Sequence, residues 1–117
     1  MKITLDNNIL NNIRELQTEG EEDLLSELVD VYKKDSEQTV TKLRISIEQG
    51  DFIAVKRAAH NLKGSSANLG GAQLAALCRK VEAAAEEGDD IKLSELLPEL
   101  KETYGETLRE LGKLKKT

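Results

Sequence analysis

The chain has one histidine, His60, in the run Ala58-Ala59-His60-Asn61-Leu62-Lys63-Gly64-Ser65-Ser66-Ala67-Asn68-Leu69-Gly70. Imidazole is the one side chain that offers a neutral nitrogen nucleophile near neutral pH. Lys63 and Gly64 follow at three and four residues, which on a helix puts a cation and a bare backbone one turn away. A nucleophile, an adjacent cation and room for close approach are what a residue needs to hold a phosphoryl group for a docking partner.

Other chemistry fits these residues poorly. A closed zinc site needs four nitrogen or sulfur ligands, and the chain has one His and one Cys, Cys78, which falls on an apolar helix face. Ser65 and Ser66 lie off the His60 face, and nothing resembles a nucleophile elbow, so a Ser-His-Asp hydrolase is not supported. No glycine-rich phosphate loop is present, and binding of ATP is not expected.

The elements that must position His60 are read from apolar spacing. Asp6 is a cap for a short first helix with Ile9, Leu10, Ile13 and Leu16 on one face, closed by Gly20. Glu21, Glu22 and Asp23 then place negative charge on the first turn of a second helix that runs to about Gln49. Its stripe is Leu25, Leu28, Val29, Tyr32, Ser36, Thr39, Val40, Leu43 and Ile47. Gly50 suits the left-handed position after a helix and Asp51 the cap of the next.

A third helix is expected over about 52–69, a fourth over 72–87 and a last over 91–115, separated by Gly70-Gly71 and by Gly88 with Asp89-Asp90. Pro98 falls inside the last pattern and is compatible with a kink or with the first position of a new helix. No alternating run of β-branched residues predicts a strand. The expected fold is all-α: an antiparallel four-helix bundle with an additional short N-terminal helix, one domain over residues 1–117.

On a wheel of the third helix, Val55, Ala59, Leu62, Ser66 and Leu69 mark the core, and His60 points roughly 140° away. Gly64, Ala67 and Gly71 fall within about 40° of His60, while Lys56 and Lys63 flank it. An exposed glycine inside a helix is unfavourable by about 1 kcal/mol against alanine, and it makes sense where another surface must come close.

Composition sets the surroundings. A chain of 117 residues with 38% hydrophobic and 33% charged residues is a globular domain, and 3% aromatics leave an aliphatic core. A net charge of −5 argues against nucleic acid as partner. No apolar stretch approaches the roughly 20 residues that span a bilayer, no signal peptide is evident, and a cytoplasmic location is the expectation.

His60-Asn61-Leu62-Lys63-Gly64-Ser65-Ser66-Ala67-Asn68-Leu69-Gly70 resembles the signature of histidine-containing phosphotransfer (HPt) domains, at every specified position and with the same helix count. The resemblance implies a phosphorelay intermediate that takes a phosphoryl group from a receiver-domain aspartyl phosphate and passes it to another receiver's aspartate. It casts His60 as phospho-acceptor through the ring nitrogen farther from the backbone, Lys63 as the cation beside the phosphoryl group, and Gly64 as the point of approach. It makes Ser65 and Ser66 structural, with Ser66 able to bond a carbonyl of the preceding turn. Glu82 stands where many relatives carry Gln, as in chemotaxis-kinase phosphotransfer domains; a carboxylate there would accept from the near ring nitrogen and fix the tautomer.

Partner docking is expected around Lys56, Gly64, Ala67 and Gly71, with Gln38 at the rim. The implied partners are receiver domains of response regulators and hybrid kinases, which would supply Mg²⁺; the carrier needs no cofactor of its own and is expected to be a monomer. The alternative reading is an adaptor with the same bundle and no phosphotransfer.

Overall fold

The computed structural model describes residues 2–115. Five helices follow in order: α1 (Asn7–Glu15), α2 (Leu24–Gln49), α3 (Phe52–Asn68), α4 (Ala72–Glu86) and α5 (Asp90–Gly112), and no strand occurs among the described residues. Helices α2 to α5 each pack on the next, α2 closes the ring against α5, and α1 lies on α2. The fold is the expected all-α bundle with a short N-terminal helix. Among the described residues no helix is long and apolar enough to cross a membrane.

The caps explain most boundaries. Asp51 accepts from Ala54 N at the start of α3, and Asp89 accepts from Lys92 N at the start of α5. Gly50 ends α2 with φ +68, a left-handed conformation that an L side chain rarely adopts. Leu43, Val55, Ala59, Leu62, Leu74, Cys78, Val81, Leu93, Leu100 and Leu111 are essentially sealed and fill the centre. This interdigitating aliphatic layer fixes the rotation of α3, and with it the direction of His60.

Four expectations change. Helix α2 starts three residues later than the acidic run suggests, because Asp23 is the cap and bonds Ser26 N. Glu21 and Glu22 therefore precede the helix, and Glu27 is the acid of its first turn. Leu16 is the C-cap of α1 and 71% exposed rather than on the apolar face. Leu28, at the edge of the α2 stripe, is exposed too.

Pro98 sits within one continuous α5. Proline there removes the bond to the carbonyl four residues back, Ser94, and both residues are exposed, so water can satisfy it.

The N-terminal residues hold the far end of α3. Asp6 N donates to Gly70 O at 2.8 Å, Gln73 accepts from Thr4 N at 2.8 Å and donates to Lys2 O, and Ile3 is buried. Gly70 has φ +80, and a Cβ there would lie 2.9 Å from Asp6 O. The α3–α4 turn is thus locked by backbone contact at Gly70, ten residues beyond His60.

Candidate functional site

The core stripe of α3 turns His60 outward: its side chain is 69% exposed. Across the α3–α4 groove stands Glu82, one residue after the buried Val81 and itself only 15% exposed. Glu82 Oε2 lies 3.5 Å from His60 Nδ1, and Glu82 Oε1 lies 2.6 Å from Lys63 Nζ. The first separation is longer than a hydrogen bond, so it orients the ring by charge. The second is an ion pair; Oε1 is buried and takes no hydrogen bond of regular geometry.

Because Nδ1 faces the carboxylate, the far nitrogen, Nε2, is the one left toward solvent. A groove of about 430 Å³ opens beside the ring, lined by Ile53, Lys56, Arg57, His60, Asn61 and Glu82. Arg57 and Asn61 also line a second groove of about 310 Å³ between α2 and α3, together with Thr39, Lys42 and Ser46. Lys56 pairs with Glu86 at 3.4 Å, both ends exposed. This rim is basic on a molecule whose net charge is −5.

The sequence-derived residues divide as follows. His60, Lys63 and Glu82 come together, and Lys56 lines the same groove. Gly64 and Ala67 are exposed on α3, and a Cβ at Gly64 would meet nothing within 4 Å. Gln38 is exposed on α2 in a different depression, with Lys34, Glu37, Thr41 and Lys42.

Gly71 must be corrected: it is buried, and its added Cβ would lie 3.1 Å from Ser66 O and 3.3 Å from Thr107 Cγ2. The wheel fails there because α3 ends at Asn68 and the chain reverses at Gly70. Ser66 is corrected too: it meets the Tyr32 hydroxyl at 2.8 Å, while Ser65 donates to Leu62 O.

Ile53, Arg57 and Asn61 escaped the sequence reading. The signal was available: Ile53 stands seven residues, two turns, before His60 on the same face, and it is 74% exposed. Cys78 lies beneath the site, sealed, with its thiol pushed up to about 12 by burial and, secondarily, by Glu82. A thiol so placed is a packing residue, not a nucleophile.

The site is thus one exposed imidazole held against a carboxylate–ammonium pair on the face of a helical bundle. The chain matches the Hpt domain family model over residues 27–110 and belongs to that family. It is 34% identical over 77 residues to histidine-containing phosphotransfer protein 5 of Arabidopsis thaliana, covering 63% of this chain and 48% of that protein. It is 30% identical over 99 residues to the phosphorelay intermediate protein rdeA of Dictyostelium discoideum, covering 85% of this chain and 39% of that protein. The chain thus spans about half the length, or less, of these two curated relatives.

Solved structures agree over the whole bundle. Histidine-containing phosphotransfer protein B of Pseudomonas aeruginosa superposes with a TM-score of 0.85 at 26% identity, covering 93% of this chain and 91% of that one. MtHPt2 of Medicago truncatula gives 0.80, also at 26% identity, covering 94% of this chain and 78% of that one.

Proposed function

We propose that this chain is a phosphorelay intermediate whose His60 Nε2 accepts a phosphoryl group from a receiver aspartyl phosphate and returns it to another receiver's aspartate. The observation that carries this reading is the exposed His60 ring with Nδ1 turned to Glu82. Glu82 holds the proton-bearing nitrogen inward, which leaves the Nε2 lone pair directed at an incoming phosphorus.

Phosphoryl transfer needs mainly alignment and charge stabilisation. On attack, the Nε2 pair forms the bond to phosphorus while the P–O bond to the donor aspartate breaks, and its pair goes to that carboxylate. The ring becomes cationic, with its proton on Nδ1 beside the Glu82 carboxylate. Return transfer reverses these movements. A receiver domain would contribute Mg²⁺ and its own acidic cluster; this chain contributes the imidazole, the Lys63 ammonium and the docking surface.

The docking face in this reading runs along α3 through Ile53, Lys56, Arg57, Asn61, Gly64 and Ala67, with Lys42 and Gln38 at the α2 rim. Its basic edge suits the acidic surround of a receiver's aspartate, and the bare Gly64 admits close approach. Such transient contacts often bury less than about 1,200 Å². In this account the carrier acts as a cytoplasmic monomer.

The test is labelling by a phosphorylated receiver. His60→Gln should keep the fold and lose the label; equal labelling of variant and parent would reject the proposal in favour of an adaptor.

A further inference from the structure

Lys63 does not stand free beside His60. Its side chain is 24% exposed and its ammonium is engaged by Glu82 at 2.6 Å. The Glu82 oxygen that holds it is buried and has no regular hydrogen bond, so the ion pair is what neutralises that charge. The other oxygen of the same carboxylate faces His60 Nδ1. One anion therefore attends both the ring and the cation next to it.

We propose that Glu82 competes with the phosphoryl group for Lys63, and that this competition sets how long phosphorus stays on His60. The proposal rests on the relay reading above and adds a control on the lifetime of the carried group. A phosphoryl group on Nε2 brings about two negative charges to a point one helical turn from Lys63. That charge draws the ammonium outward. Its departure leaves Glu82 Oε1 as a bare buried anion, which opposes the move. Lys63 is consequently divided between two sites instead of being committed to the phosphoryl group.

The division matters because of where a cation acts. Bound to the equatorial oxygens, Lys63 stabilises the phosphorylated carrier. In a loose, metaphosphate-like transition state it gains little more. The P–Nε2 bond then breaks with its electron pair returning to Nε2, and the ring leaves neutral with its proton on Nδ1. Phosphorus goes to water in hydrolysis or to a receiver carboxylate in relay. Holding Lys63 back at Glu82 keeps the carried group labile. Of the other charges near the ring, Lys56 is paired with Glu86, and Arg57 lies along the groove on the α2 side.

The experiment uses phosphoramidate as donor, without any receiver, and follows the decay of phospho-His60 in the full chain. Glu82→Gln frees Lys63 and should lengthen the half-life on the order of two- to fivefold, the scale of a partly exposed ion pair. Lys63→Ala should shorten it, and the gain from Glu82→Gln should fall by more than half in the Lys63→Ala background. Thermal unfolding of each variant checks that the bundle persists.

An unchanged or shorter half-life in Glu82→Gln, or a gain that survives whole without Lys63, overturns the competition and leaves the relay reading intact. Failure of phosphoramidate to label His60 in the parent chain overturns both.

Discussion

The hydroxyls of Tyr32 and Ser66 meet at 2.8 Å inside the bundle and join α2 to the helix that carries His60. A second pair, Ser36 with Tyr104 at 2.6 Å, joins α2 to α5. All four residues are buried, so their hydroxyls need partners inside the bundle, and Ser36 Oγ also reaches Lys33 O at 3.4 Å. Ser66 is six residues after His60, and its bond to Tyr32 adds a directional contact to the aliphatic packing that orients α3.

Removing one member of the Tyr32–Ser66 pair takes a buried hydrogen-bond partner from the other. Ser66→Ala should lower stability to urea by about 1–3 kcal/mol, and Tyr32→Phe should do likewise. The double variant should cost clearly less than the sum. Denaturation curves of the four proteins would show additivity instead if the two hydroxyls did not interact.

The glycines near the site should behave in opposite ways. Gly64→Ala meets no atom within 4 Å and removes a helix-interior glycine, so stability should rise by up to about 1 kcal/mol. Gly71→Ala drives a methyl against Ser66 O and Thr107 Cγ2 and should cost about 1–3 kcal/mol. A large side chain at position 64, as in Gly64→Gln, should slow transfer with receivers while the melting temperature stays close to the parent's. Unchanged transfer would remove Gly64 from the docking face.

Those two glycines also show what the sequence could and could not reveal. The helix order, the caps Asp51 and Asp89 and the outward direction of His60 follow from apolar spacing and from turn residues that dictate backbone conformation. The wheel misplaces Gly71 because it presumes a continuing helix, whereas α3 ends at Asn68 and Gly70 turns left-handed. The α1–α2 connection was illegible for another reason. There the Gln17 side chain replaces a backbone ladder, donating to Glu22 O at 2.9 Å and accepting from Leu24 N at 2.6 Å. Glu82 is suggested by the family resemblance, standing where many relatives carry Gln, but its hold on Lys63 is a long-range contact that no local pattern encodes.

Docking should depend on the groove beside the ring. Ile53→Asp and Arg57→Glu each place negative charge where the rim is apolar or basic. Either should raise the receiver concentration for half-maximal transfer by about threefold or more, with the Arg57→Glu effect shrinking as salt increases. Concentration series at two ionic strengths would detect this; no change in either variant would shift the contact surface elsewhere on the molecule.

Stability should fall at alkaline pH. Burial raises the Cys78 thiol from 9.0 to about 12 and raises the hydroxyls of Tyr32 and Tyr104 above their usual 10.0. The unfolded chain loses these protons first, so between pH 9 and 12 it binds fewer protons than the folded chain. The contribution is complete below pH 9 and is lost as pH climbs through that window. For the sealed Cys78 the slope approaches about 1.4 kcal/mol per pH unit. Urea unfolding of the parent and of Cys78→Ala from pH 8 to 11 would show the variant declining less steeply; parallel curves would contradict the assignment.

The most direct measurement is the position of phosphorus after transfer from a phosphorylated receiver, read by proton–phosphorus correlation NMR of the intact chain. The account requires a single phosphohistidine, at His60, with the bond to Nε2 and the proton kept on Nδ1 beside Glu82. A bond to Nδ1, a label on any other residue, or no label under conditions in which the receiver itself is phosphorylated would contradict it.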